Sequence, residues 1–457
     1  MADSPLDPFG RTVLVCGVRF AGESAARALL ARGARVLLAD RHRTTAVDPL
    51  IAAGATFVGD PDKVPAGVDL VVTSPGLHPD HPLLRAAAAM GIPVWGEIEL
   101  AWQLRDPAGA PWLAVTGTNG KTTTVRMLES ILVAAGCRAR AVGNVGVSII
   151  DAVTASPPYD VLSVEVSSFQ LHWSQSVRPA AGALLNLAPD HLDWHGSMPA
   201  YIEAKTRVWA TPVAVANLDD ECVAELFAAT SADSRVGVHL AQPSDGQLGV
   251  RDGVLVDRAF ADGVELVEVA AVHPAGPHNV TNALCAAALA RSQGVPPEAV
   301  AAGLRAFRPD PHRNQLVITR DGVRWVDDSK ATNPHAAAAS LAAYPRVVWI
   351  AGGQLKDAPV DDLVARFASK LAGVVLLGVD RAHIAAALAR HAPDVPVITV
   401  ATQDDGAMTE VVGAAAGLAH PGDTVLLAPA AASYDMFSGY AERGTRFAAA
   451  VAALGSR

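Results

Sequence analysis

Cysteine, lysine and aromatic residues are scarce in this chain, and long apolar runs are missing. Four cysteines occur in 457 residues (Cys16, Cys137, Cys222 and Cys285), with no CxxC pair and no histidine at ligand spacing. This excludes a disulfide framework or a zinc cluster and leaves four reduced, mostly packed thiols. No stretch approaches the ~20 uninterrupted apolar residues of a membrane span, so no membrane insertion is expected. The N-terminus, MADSPLDPFGRTVLVCGV, has acidic residues and prolines where a secretory leader has positive charge before an apolar run, so a cytoplasmic protein is expected. A net charge of −10 disfavours general affinity for nucleic acid, because counterion release needs clustered positive charge.

Lysine is the most informative shortage. Of 36 basic residues only six are lysine (63, 121, 205, 330, 356 and 370), leaving 30 arginines. Where arginine has taken over surface duty, a retained lysine marks a place that needs a compact or deprotonatable ammonium.

What is present is a soluble, folding composition: 51% hydrophobic and 18% charged residues exclude disorder. The length calls for two or three domains. RTVLVC, a helical stretch and ARVLLAD form a strand–helix–strand pattern ending at Asp40, and a second alternation ends at IPVWG, so residues 1–99 read as a small α/β domain. Buried-strand runs recur at WLAVTG, VLSVEV, AGALLNL and VAVAN, with alternating β structure over 248–270. Proline and polar density at FRPDPHRN marks a second boundary; beyond it four β-rich runs alternate with Ala-rich helices. The expected divisions are 1–99, 100–308 and 309–457.

The segment VTGTNGKTTT puts a glycine turn between a strand and a helix. Backbone N–H groups of Gly117, Thr118, Asn119 and Gly120, the helix dipole and Lys121 suit phosphate, with Thr122 in reach of magnesium and Thr123 beside it. The spacing departs from GxxxxGK[ST], since Val115 stands five residues before Gly120, but GxxGKTT remains specific in this context.

The GTNGKTTT loop resembles that of the Mur ligases, ATP-dependent amide-forming enzymes. EVSSFQL (165–171), NLAPDHLDWHG (186–196), Lys205, HNVTNALCA (278–286), PHR (311–313), DDSKATNPHA (327–336), GGQLKD (352–357) and APAAASYDMFSGYAERG (428–444) then follow in family order. The resemblance covers essentially the whole chain. It implies an α/β protein of three domains: an N-terminal Rossmann-like domain for a nucleotide precursor, a central P-loop ATPase-like domain and a C-terminal Rossmann-like domain.

The same resemblance implies residue roles. Glu165, His191 and Thr122 serve Mg2+, and Lys205 joins them as a carbamate, whose formation needs a neutral amine that arginine cannot offer. Arg313 and Asp328 hold ATP, and Lys330 lies near the transferred phosphate. Asn279 and Asn282 fall around adenine, with an N-cap or plain helix surface as the alternative. Thr332, Lys356, Ser433 and Tyr440 match positions that grip D-glutamate, although an aromatic at Tyr440 also suits helix packing. Asn144 joins the substrate set. In the first domain GVRFAG has Arg19 where a dinucleotide fold has its second glycine, which argues against a tight NAD pyrophosphate approach. Arg19 is expected to meet UDP phosphates, with Ser74 and Gly76 as further candidates; Asp40 suits either a ribose or a structural role.

The implied reaction joins D-glutamate to UDP-N-acetylmuramoyl-L-alanine. ATP phosphorylates the precursor's carboxylate to an acyl phosphate, which the amine attacks. A monomer is expected. The alternatives are another Mur-type or folylpolyglutamate-type ligase, a P-loop NTPase or kinase, and a catalytically silent nucleotide-binding regulator.

Overall fold

The computed structural model describes residues 10–356, 358–402 and 406–455; the acidic first nine residues and Asp357 of GGQLKD lie outside the described residues. The chain forms two compact units, one of residues 1–271 with 281–307, the other of residues 272–280 with 308–457. Three parallel-dominated sheets with their helices give a three-domain α/β architecture, two sheets in the first unit and one in the second.

The first sheet has five parallel strands in the spatial order Thr56–Gly59, Arg35–Ala39, Thr12–Cys16, Leu70–Thr73, Val94–Trp95. Thr12–Cys16 is apolar and buried on both faces, as a central parallel strand must be. The chain runs outward to one side of it, then returns to the other. The crevice between Thr12–Cys16 and Leu70–Thr73 is therefore a topological switch point, where open α/β sheets bind ligands. Helix Phe20–Ala31 approaches the loop there so closely that a Cβ on Gly22 would lie 1.9 Å from the Gly17 carbonyl oxygen.

The second sheet has nine strands, ordered Val264–Glu268, Val254–Asp257, Gln247–Arg251, Ser234–Val238, Val213–Asn217, Ala181–Leu184, Trp112–Thr116, Val161–Glu165, Ala139–Gly143. It is parallel from Gln247–Arg251 onward, and the first two strands extend it antiparallel. One apolar cluster runs from Val13 and Val15 of the first sheet through Ile98 and Leu100 of helix Glu97–Leu104 to Trp112 and Ala114 of the second. That shared core is the physical reason two sheets make one unit.

In the second unit six strands are ordered Gln315–Arg320, Val323–Asp327, Thr424–Leu427, Val347–Gly352, Leu371–Leu377, Val397–Thr399. All pairings are parallel except the first. Two apolar clusters pack its faces, one around Trp349 and Leu376, the other around Trp325 and Phe447. The four cysteines are unpaired, Cys16 and Cys285 fully buried. Among the described residues no helix is long and apolar enough to cross a membrane.

Candidate active site

Strand Trp112–Thr116 feeds the glycine loop directly into helix Lys121–Ala134. Gly120 takes φ +84°, and a Cβ there would lie 2.5 Å from Oδ1 of Asn282, so the position demands glycine twice over. Asn186 shapes the loop: its Oδ1 accepts from the Asn119 N–H at 2.8 Å, its Nδ2 donates to the Asn119 carbonyl at 3.1 Å, and its own carbonyl accepts from the Thr118 N–H at 2.9 Å. Thr118 Oγ1 shares a 2.9 Å hydrogen bond with the Tyr201 hydroxyl. No side chain caps the following helix, so its first-turn N–H groups face the loop as an anion site. Lys121 Nζ curls back to donate to the Gly117 and Thr118 carbonyls, each at 2.8 Å. Thr123 is buried in the first turn.

Glu165 ends the neighbouring strand and is 2% exposed. Thr122 Oγ1 donates to its Oε2 at 2.8 Å, and Asn144 Nδ2 to its Oε1 at 2.9 Å. A hydroxyl and a carboxylate thus converge beside the glycine loop, the oxygen donors Mg2+ prefers. Among the described residues no three His, Cys, Asp or Glu side chains gather as a metal site. This donor set fits an ion that keeps waters and shares phosphate oxygens.

Lys205 lies in helix Met198–Thr206 and is 2% exposed. Its Nζ donates to the Gly117 carbonyl at 2.7 Å and sits 4.8 Å over the Tyr201 ring. Burial, and then the Lys121 cation, push this ammonium well below its ordinary pKa, against the pull of Asp190 and Glu165. His191 caps helix Leu192–His195 in the left-handed region, φ +54°, a costly conformation for histidine that holds its ring beside Phe169 (4.7 Å between centroids) and Asp190 (3.6 Å).

The helix Pro277–Ser292 carries both adenine-side candidates. Asn282 belongs to the first unit and lies against Gly120; Asn279 belongs to the second, where its Nδ2 meets the His278 ring nitrogen at 2.9 Å.

In the second unit the loops after three adjacent strands interlock. Asp328 N–H donates to Leu427 O at 2.9 Å, Ala430 N–H to Ala331 O at 3.0 Å, and Gln354 N–H to Ala432 O at 2.8 Å. Those loops carry Asp328, Lys330 and Thr332 after one strand, Lys356 after the second and Ser433 after the third. Asp328 accepts from Asn314 N–H at 3.1 Å and from the Ser340 hydroxyl. The residue keeps some exposed surface, but packing around its carboxyl raises the pKa to about 6 despite those donors and Arg313. His312 Nδ1 and Asp327 Oδ2, 2.6 Å apart, anchor the loop that bears Arg313. Lys330 Nζ sits 4.0 Å over the Tyr440 ring, so Tyr440 supports a candidate catalytic lysine as well as starting helix Tyr440–Ala453. Arg443, 1% exposed, donates to the Ser329 hydroxyl (2.9 Å) and carbonyl (2.8 Å) and to Ala431 O (3.1 Å), and burial lowers its pKa to about 10. Lys356 is exposed and takes φ +53°. Thr332 is half-buried and Ser433 buried.

In the first sheet, Arg19 is exposed at the N-terminus of helix Phe20–Ala31. Asp40 accepts from the Val18 N–H at 2.7 Å and the His42 N–H at 3.0 Å, so it orders the glycine turn. Ser74 follows the strand across the crevice, its Cβ 2.8 Å from where a Gly17 side chain would begin; Gly76 lies in the turn after it, facing open space. Sequence reasoning missed Asn186, Tyr201, Asn314, Ser340 and Arg443. Asn186 and Arg443 stood inside quoted motifs, and the signal was their being the uncharged amide beside the DH pair and the arginine of AERG.

The Mur ligase middle domain model matches residues 115–290, the Mur ligase glutamate ligase domain 312–431, and the Mur ligase MurD-like N-terminal domain 11–96. A UDP-N-acetylmuramoylalanine–D-glutamate ligase of Streptomyces avermitilis is 55% identical over 463 residues, covering 98% of this chain and 99% of that protein. Its namesake from Thermobifida fusca is 57% identical over 464 residues, covering 97% and 99%. Among solved structures, UDP-N-acetylmuramate-alanine ligase from Thermotoga maritima aligns with a TM-score of 0.59 at 18% identity, covering 97% of this chain and 99% of that one. A pseudomurein peptide ligase type C from Methanothermus fervidus aligns at 0.58 and 19%, covering 91% and 96%. At these identities the structural likeness is one of fold.

Proposed function

The chain belongs to the Mur ligase family, and we propose that it joins D-glutamate to UDP-N-acetylmuramoyl-L-alanine at the expense of ATP, in peptidoglycan precursor synthesis. The observation that carries this reading is end-to-end identity above half with relatives of that one activity.

A carboxylate is a poor acyl donor because its leaving oxygen is too basic. The precursor's terminal carboxylate attacks the γ-phosphorus of ATP, ADP leaves, and an acyl phosphate forms. The amine of D-glutamate adds to its carbonyl, and the tetrahedral intermediate expels phosphate. Gly117, Thr118, Asn119, Gly120 and Thr123 line the phosphate site, although the Thr118 and Asn119 N–H groups donate to Asn186 in this structure, while Lys121 turns from its own loop carbonyls to the ligand. Thr122, Glu165, His191 and a carbamylated Lys205 would hold Mg2+, which would supply charge neutralisation for the phosphates. Support for the carbamate comes from burial: the Lys205 amine makes no ion pair among the described residues and is held toward its neutral, nucleophilic form. Asn279, Asn282, Arg313 and Asp328 serve the nucleotide, and Lys330 the transferred phosphoryl group. Lys356 meets a carboxylate of D-glutamate, with Thr332 and Ser433 donating hydrogen bonds and Tyr440 backing Lys330. Arg19, Asp40, Ser74, Gly76 and Asn144 serve the UDP-linked substrate. The working divisions are 1–99, 100–308 and 309–457, in a cytoplasmic monomer.

The test is phosphate release from ATP with UDP-N-acetylmuramoyl-L-alanine and D-glutamate, against L-glutamate, other pathway amino acids, and folate with glutamate. Release that requires D-glutamate, with a product of the added mass, is expected. Release without an amino acid, or with another acceptor, moves the chain to an NTPase or another ligase.

A further inference from the structure

A cavity of about 530 Å3 lies in the first unit beneath the central sheet, within the range of small-molecule sites. Its inner wall is apolar and fully buried: Ile98 of helix Glu97–Leu104, Trp112 and Ala114 of one strand, Val164 and Val166 from the next. Gln175 and Arg178 are the exposed lining residues, and His172, Trp173, Val177, Arg207 and Ala210 are half-buried. Pro179 and Ala210 precede strands Ala181–Leu184 and Val213–Asn217, whereas the phosphate loop, Glu165 and His191 follow the opposite ends of their strands. The lining therefore reaches the starts of two strands, while Val166 extends it to the residue after Glu165.

Its polar lining is His172, Ser174 and Gln175 together with two indoles and two arginines. The indole N–H groups of Trp112 and Trp173, both lining residues, are buried without an acceptor among the described residues, and Trp112 is only 2% exposed. A buried N–H left unpaired is destabilising, a cost that a ligand oxygen would offset. Arg178 and Arg207 add two cations, and no aspartate or glutamate lines the wall, although Arg207 also pairs with Glu203 at 3.3 Å and Arg178 donates to the Gln175 and Val177 carbonyls. Arg207 is braced by Leu171 O (3.2 Å) and His172 O (2.8 Å). An apolar floor with two unpaired indole donors, two arginines and no acid suits an anion with an apolar body.

We propose that this cavity is a second ligand site, for an amphipathic organic anion: an aromatic or branched apolar body carrying a carboxylate or sulfonate. Its walls are shared with the catalytic region. Helix Ser168–His172 lends Leu171 and His172 to the cavity and Phe169 to the His191 ring, and the turn Arg207–Trp209 continues the helix that carries Lys205. Occupancy is thus placed to bias both elements.

The probe is 8-anilinonaphthalene-1-sulfonate, with neutral N-phenyl-1-naphthylamine as the uncharged arm, titrated into the folded full-length protein with saturating ATP analogue and UDP-linked substrate. One saturable sulfonate site is expected, with quenching of tryptophan emission. Arg178→Glu should weaken the sulfonate about tenfold or more and leave the neutral probe within about twofold. Ala210→Phe, which narrows the mouth, should weaken both. Displacement by the ATP analogue would assign the probe to the nucleotide site and overturn the proposal. So would a lack of saturable binding, or binding indifferent to both substitutions.

Discussion

Replacing Gly120 by alanine tests the phosphate loop at its tightest point. Two costs arise, and they are separable. The first is conformational: alanine at φ +84° sits in the left-handed region at about 1–2 kcal/mol. The second is steric, because the new Cβ would lie 2.5 Å from Asn282 Oδ1 and 3.2 Å from its Cγ. The amide must give way by about 1 Å, and since Asn282 is 4% exposed this disturbs buried polar contacts worth about 1–3 kcal/mol. The sum, about 2–5 kcal/mol, falls on the loop proposed to receive ATP. KM for ATP should rise at least tenfold, while the unfolding midpoint falls by only a few degrees. A double-mutant cycle isolates the clash: in Gly120→Ala with Asn282→Ala the conformational cost stays and the steric cost vanishes. The pair should then lose about 1–3 kcal/mol less than the sum of the single losses. Additivity within about 0.5 kcal/mol, or an ordinary KM in Gly120→Ala, would refute the reasoning.

Lys205→Ala should abolish turnover and regain part of it when short carboxylic acids are added, since these replace the anionic oxygens of a carbamate; a fully active variant indifferent to added acid would leave Lys205 structural. Lys356→Ala should raise KM for D-glutamate about 10- to 100-fold with a smaller change in KM for ATP, from the loss of one charge-assisted hydrogen bond of about 1.5–3 kcal/mol, as steady-state kinetics would show. Glu97, 4% exposed and accepting from Ser148 Oγ at 3.0 Å, has its carboxyl raised by burial from 4.5 to about 7. The folded protein keeps a proton that the unfolded chain releases, so this group's contribution to stability falls as pH rises from about 4.5 to 7. Glu97→Gln should therefore gain on the parent across that window, by at most ~3 kcal/mol above it, in melting curves from pH 5 to pH 8; a pH-independent difference would contradict the assignment.

The strands that sequence revealed are those buried on both faces, because a central parallel strand must read as a continuous apolar run. Thr12–Cys16, Trp112–Thr116 and Thr424–Leu427 are of that kind. Thr56–Gly59 was not legible, being only half-buried, nor was Ala139–Gly143, whose run is broken by the exposed Arg140. Site residues divide in the same way. Lys121, Thr122 and Glu165 announce themselves by residue type beside a strand end. Asn186 and Tyr201 do not, because they shape the loop from 67 and 83 positions away and nothing in local periodicity encodes such a partner. Lys205 was singled out by the scarcity of lysine and by resemblance, since YIEAKTRVW has no clear apolar face to show which side is buried.

The placement of the motifs has one topological cause. A parallel sheet aligns every strand's carboxyl end on one edge, so residues just beyond successive strands become neighbours however far apart in sequence. In the central sheet this brings the glycine loop, Glu165 and Asn186 together after three adjacent strands. In the second unit it joins Asp328, Gln354 and Ala430 into one interlocked rim. Arg443 shows what the rim requires beyond topology. Its guanidinium, buried without a carboxylate in hydrogen-bonding contact among the described residues, donates to Ser329 and Ala431, locking the loop of Lys330 to that of Ser433. Such a cation is costly to bury unless its hydrogen bonds are all used. The three hydrogen bonds of Arg443 fix the spacing between those two loops.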